Sequence, residues 1–171
     1  MMAVAILAGC KKNNEPENPG KSAGEGIHTS DFEAEYCHAS ITINLKGTYK
    51  YFVTVNVIAD GKVMDVISYD KPTVVVEFPI NGTSELKTEA VCDTESEDLV
   101  GTCNHKMDMA WDIQVKLGND VIATKEYSDY VDYQSTVSDS QASRNAVNKL
   151  VHQDIDREFT ITKTAITGPN K

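Results

Sequence analysis

Tyr127, Tyr130 and Tyr133 alternate with the carboxylates Asp129 and Asp132 near the end of the chain. Rings flanked by carboxylates suit carbohydrate: the faces stack on sugar C–H groups while the acids accept hydroxyl hydrogen bonds. The competing reading is that these rings simply pack over one end of a folded domain. A second candidate is the run Asp93, Glu95, Glu97 and Asp98, which offers the oxygen ligands that Ca²⁺ takes. It lacks the glycine of an EF-hand turn, and such runs are commonly solvated loops. Cys37-His38 and Cys103-Asn104-His105 supply softer ligands, but neither has the spacing that wraps Zn²⁺, and neighbours on a strand point to opposite faces. No metal centre is assigned.

Nucleophilic catalysis finds little to work with. Gly20-Lys21-Ser22-Ala23-Gly24 fits the G-x-S-x-G pattern, but that pattern works on a sharp turn between a buried strand and a helix, and its surroundings predict neither. A phosphate loop ending at Gly20-Lys21-Ser22 fails because Glu15 stands where its first glycine is required. His28, His38, His105 and His152 are scattered, and a catalytic pocket would need Asp129, Asp132 and His152 to converge. The expectation is a protein without catalytic residues and without a cofactor.

The elements that must position these groups read mostly as strands, since apolar residues recur at every second position. Ala39, Ile41, Ile43 and Leu45 form one such series, and Tyr49, Tyr51, Val53, Val55 and Val57 continue it after Gly47. Asp60-Gly61 turns the chain into Val63 to Ile67. Val74, Val76, Phe78 and Ile80 lead to Asn81-Gly82, a second hairpin signal, with Leu86, Ala90 and Cys92 expected to return alongside. Met107, Met109, Trp111, Ile113, Val115 and Leu117 alternate most cleanly, and Gly118-Asn119 joins them to Val121–Tyr127. The period then changes: Ala142, Ala146, Val147, Leu150, Val151 and Ile155 recur at three and four, and Ser138 and Gln141 have capping-box spacing. An amphipathic helix is predicted over 139–157, with a last strand from Phe159 to about Ile166. The fold class is therefore mainly β, an antiparallel sandwich of immunoglobulin-like type with one late amphipathic helix, a barrel being the second choice. The helix is expected to lay its apolar stripe on the sheets.

Residues 32–171 read as this single domain. Lys11 to Asp31, rich in Pro, Gly, Asn and Glu and almost without apolar residues, reads as a flexible tether with a reach on the order of 25 Å. Just before it, the apolar run Met1 to Ala8 ends in Leu7-Ala8-Gly9-Cys10. This resembles the lipobox of bacterial lipoproteins, in which the signal is cleaved before a cysteine that becomes the acylated N-terminus. The resemblance implies a signal peptide over 1–9, lipid on Cys10 and attachment to a membrane through that lipid. Lys11 after the cysteine resembles outer-membrane sorting. The apolar run itself is shorter than the ~20 residues a membrane-spanning helix needs.

An envelope address implies an oxidising compartment, in which at most one bridge can form among Cys37, Cys92 and Cys103. Cys92 with Cys103 is preferred, closing the acidic loop between two strands expected to be neighbours, at about 3 kcal/mol. Pairing of Cys37 with either, or three reduced thiols, stays open. The net charge of −10 argues against nucleic acid as a partner. Taken together these features predict a non-catalytic, lipid-anchored envelope protein serving as an interaction or ligand-binding module for a protein or glycan. The alternatives are an accessory subunit or chaperone of an outer-membrane assembly complex, which would expose an apolar patch on the helix, and a carbohydrate-binding surface lipoprotein.

Overall fold

A computed structural model describes residues 36–47 and 51–170, with backbone alone for 102–105 and 133–135. The expected signal peptide, Cys10 and the expected tether lie outside the described residues. Among the described residues nine strands and one α-helix follow in the order β1 (Cys37–Gly47), β2 (Val53–Ala59), β3 (Lys62–Ile67), β4 (Thr73–Pro79), β5 (Thr83–Cys92), β6 (Gly101–Leu117), β7 (Asp120–Val137), α1 (Gln141–Ile155), β8 (Arg157–Thr162) and β9 (Ile166–Asn170). They form two antiparallel sheets, a first of order β4-β1-β6-β7 and a second of order β3-β2-β5-β8-β9.

The period-two pattern sets which face of each strand is buried. Ile41 and Ile43 of β1, Val55 and Val57 of β2, and Met107, Met109, Trp111, Ile113 and Val115 of β6 are all at most 1% exposed. One apolar cluster takes side chains from both sheets. Trp111 of the first sheet and Phe159 of the second meet at 6.0 Å between ring centroids, in a tilted pair. Burying such side chains is worth roughly 1.5–3 kcal/mol each, so this cluster is the main source of stability.

Several expectations change. The turn at Asn81-Gly82 is not a hairpin: β4 belongs to the first sheet and β5 to the second, so the chain crosses between sheets there. An Asn-Gly turn satisfies the backbone in either case. Gly47 likewise ends a first-sheet strand and β2 opens in the second sheet. Tyr51 precedes β2 and is 56% exposed, so it does not extend that strand's inward face. β7 runs ten residues past its predicted end at Tyr127 because β6 starts early enough, at Gly101, to pair with all of it. The final strand divides into the hairpin β8 and β9.

α1 is capped by Ser140 rather than Ser138: the Ser140 hydroxyl accepts from the Ser143 N–H at 3.3 Å, and the Ser143 hydroxyl accepts from the Ser138 N–H at 3.0 Å. This satisfies two backbone donors at the helix entrance. Val147, Val151 and Ile155 are its buried stripe, directed at the sheets, whereas Ala142 and Ala146 of the expected stripe are exposed and Leu150 is half-buried. The helix stops at Ile155 because Arg157 pairs with Thr88 at the start of β8.

Candidate functional site

The strand that carries the tyrosines and aspartates distributes them over two faces. In β7, Tyr127 and Asp129 stand opposite the buried Trp111 and Met109, while Tyr130 and Asp132 stand opposite Asp108 and Lys106 on the outward face. Tyr133 lies among the residues whose side chains are not described. The five residues therefore do not make one aromatic platform, because adjacent positions on a strand cannot share a face.

On the inward side Tyr127 packs in the core, 5.3 Å from Trp111 and 6.1 Å from Phe159 by ring centroids. Its hydroxyl donates to Asp129 at 3.2 Å. Asp129 also pairs with the Arg157 guanidinium, whose other donors reach the Gln153 and Asp156 carbonyls at 2.9 and 2.7 Å. Arg157 is 3% exposed. This is a pinning contact: a buried cation ties β7 to the junction of α1 and β8. On the outward side Tyr130 donates to Asp132 at 2.9 Å and Lys106 approaches the same carboxylate at 3.2 Å. The Tyr130 hydroxyl and the Lys106 ammonium hold the Asp132 carboxyl below the usual carboxylate range, and the same bond holds the Tyr130 phenol above its ordinary value.

The residues a catalytic pocket would need do not converge. Asp129 points inward to Arg157, Asp132 points outward, and His152 on α1 bonds through Nδ1 to Asp156 at 2.9 Å. Asp156 also accepts from the Ala90 N–H at 2.8 Å, so it fastens α1 to β5.

Arg144, rather than a disulfide, holds the acidic loop. Cys92 and Cys37 are free thiols, and the expected Cys92–Cys103 bridge is not formed. Cys92 ends β5 in the second sheet, whereas Cys103 lies in β6 of the first. The two strands are not the neighbours that the sequence suggested. The buried Arg144 side chain instead donates to the Thr94 and Ser96 carbonyls at 2.6 and 3.0 Å and to Asp139 at 2.7 Å. Ser96 caps a single 3₁₀ turn, Glu97–Leu99, and Leu99 is fully buried beneath it. A guanidinium thus takes carbonyl oxygens that a bound cation would use. Among the described residues no three of His, Cys, Asp and Glu are grouped to hold a metal, Asp93, Glu95, Glu97 and Asp98 included.

One aromatic site was not read from the sequence. Tyr51 and Tyr69 stack with ring centroids 4.9 Å apart, each about half exposed, beside an open cavity of about 330 Å³. Val91, Cys92, Thr54, Ser68, Asp70 and Asp93 also line it. Tyr51 precedes β2 and Tyr69 follows β3, so only the β2–β3 hairpin brings them together. Burial, and secondarily the neighbouring Asp93 carboxylate, pushes the Cys92 thiol up to about 11. At neutral pH it is a neutral wall and not a nucleophile. The site offers an aromatic surface with carboxylate and hydroxyl groups at its margin, which is a binding chemistry.

No protein-family model, no curated protein and no solved structure matches this chain.

Proposed function

We propose that this chain is a non-catalytic, lipid-anchored envelope lipoprotein, held at the outer membrane through Cys10, whose β-sandwich serves as an interaction or ligand-binding module. The observation that carries the reading is the placing of the two ends. The chain enters the folded unit at Tyr36, and the Tyr51/Tyr69 cavity lies at the other end of β1 and β2. β1 alone separates the ends by roughly 33 Å at a strand's rise per residue. A domain tethered from one end would present that cavity away from the surface carrying its lipid.

Carbohydrate is the ligand class we favour for the cavity, because stacked phenol rings beside Asp70, Asp93 and Ser68 supply C–H stacking and hydroxyl hydrogen bonding together. The assembly-subunit reading has less support. The outward face of α1 carries Gln141, Ala142, Asn145, Ala146, Lys149 and Gln153, which is not an apolar docking patch. The immunoglobulin-like form of the sandwich is supported by strand order: β1 pairs β4 as B pairs E, and β2, β5 and β8 follow one another as C, F and G do. The departure is β6, which takes the place of strand A beside β1 but enters the sequence after β5.

The anchor is tested by Cys10→Ser. The wild-type chain, expressed with its own leader, should partition into the detergent phase, and the variant should move to the aqueous phase; equal partitioning of the two overturns the anchor. The cavity is tested by titrating chitohexaose and cellohexaose against the tyrosine resonances. Shifts confined to Tyr51 and Tyr69 and abolished by Tyr69→Ala support the glycan reading, and unshifted rings at saturating sugar remove it.

A further inference from the structure

The end of the domain nearest the anchor has an apolar tip. Leu117, Val121 and Ile122 flank the β6–β7 turn and are 46%, 50% and 46% exposed. The turn itself is polar, Gly118-Asn119, and the apolar residues stand on the strand ends directly behind it. Tyr36, 56% exposed, is joined to the same turn: the Gly118 N–H donates to the Tyr36 carbonyl at 3.4 Å. The first described residue of the chain therefore touches the tip, and Cys10 lies only 26 positions before it.

Charge is distributed to match. The turns at this end, β2–β3, β6–β7 and β8–β9, carry Lys62, Lys116 and Lys163 together with Asp60, Asp120 and, bonded to Asp60, Glu85. The other end carries more carboxylates, Asp70, Asp93, Glu95, Glu97, Asp98 and Asp139, against Lys71 and the buried Arg144. A surface of anionic headgroups would repel the second end and tolerate the first.

We propose that the β6–β7 hairpin tip, Leu117, Val121 and Ile122 with Tyr36 beside it, rests in the interfacial layer of the bilayer that holds the lipid on Cys10. This rests on the lipid-anchor reading. The tip alone offers too little apolar area for stable attachment, but the anchor raises its local concentration at the surface, so a weak contact suffices to orient the domain. The domain then stands on its hairpin, with the Tyr51/Tyr69 cavity facing outward.

The test uses the sequence's single tryptophan. Trp111 is buried in the core, so quenchers confined to lipid should leave it bright. The full lipidated chain carrying Val121→Trp, and separately Tyr69→Trp, is reconstituted into phosphatidylcholine vesicles with or without dibrominated acyl chains, and floated. The proposal expects both variants to float, Val121→Trp to lose most of its added emission to the brominated lipid, and Tyr69→Trp to lose none. Flotation with equal emission loss at the two positions, or with none at Val121→Trp, overturns the hairpin contact and leaves the anchor standing. Failure of the wild-type chain to float overturns the anchor, and this proposal with it. Ile122→Trp, at a neighbouring half-exposed position, gives the same reading should Val121→Trp not fold.

Discussion

Cys92 shows how a residue's chemistry follows from its surroundings and not from its type. The thiol sits beside the Tyr51/Tyr69 cavity, close enough to Asp93 and buried enough to rise from an ordinary 9.0 to about 11. At pH 8 a shift of that size lowers the thiolate fraction about 100-fold. Alkylation of Cys92 by iodoacetamide, followed by peptide mapping, should therefore be about 10-fold slower in the folded protein than in denaturant, since the more basic thiolate is also the better nucleophile. Folded-state reaction at the denatured rate would show that the thiol is not shielded. The same shift carries a pH dependence of stability. The folded state holds the proton more tightly, so its contribution is complete below pH 9 and is lost as pH rises towards 11. In denaturant titrations between those values, Cys92→Ala should lose less stability than the wild type. Arg157 is a second residue whose role is set by position: with its charge buried against Asp129, Arg157→Ala should cost about 3 kcal/mol because it leaves that carboxylate short of its partner.

At the scale of an element, β6 is the clearest case of pattern becoming structure. From Met107 to Val115 its odd positions are core and its even positions are not, so Trp111→Ala should cost roughly 3–5 kcal/mol and Asp112→Ala little. Equal shifts in the denaturant midpoint would mean that the strand's phase is wrong. Gly47 is where β1 meets β6 too closely for any side chain. Its φ is +123°, and an added Cβ would fall 1.8 Å from the Lys106 carbonyl oxygen. Gly47→Ala should accordingly lower the melting temperature by separating β1 from β6 at that end, although an alanine is ordinarily mild on a surface strand. The acidic loop is held as an element by Arg144. Arg144→Ala should open residues 93–99 to proteolysis while the sheets keep their far-ultraviolet signature, and an uncleaved loop would show that Leu99 alone is sufficient to hold it.

The whole molecule is organised along the strand axis. One end carries the chain entry, the half-exposed hairpin tip and a near balance of charges, and the other carries the aromatic cavity, the acidic loop and the entrance of α1. Neither end exists within one segment. The cavity needs residues on both sides of the β2–β3 hairpin together with the end of β5, and the end at Tyr36 gathers turns from both sheets. Such a division fits the tethered binding module proposed above, in which resting on a surface and meeting a partner would have to be kept apart in space.

By itself the sequence determined most of the strands, their inward faces and the helix with part of its stripe, because each depends on neighbours a few residues away. Alternation marks Ala39 to Leu45 as half-buried whatever they pair with, and a three-and-four spacing marks Val147, Val151 and Ile155 in the same way. The tertiary structure alone decided which strands meet. Asn81-Gly82 fixes a turn but not whether the next strand stays in its sheet, so Cys92 and Cys103 were expected on adjacent strands and lie in different sheets. Pairing to β6 carries β7 past Tyr127, where its own apolar alternation fades, and thereby places Tyr130 and Asp132 on the opposite face from Tyr127 and Asp129. The stacked tyrosines were beyond the reach of any local pattern for the same reason: Tyr51 and Tyr69 are brought together by cross-strand hydrogen bonds between β2 and β3, and only that non-local pairing turns two separate exposed rings into a surface.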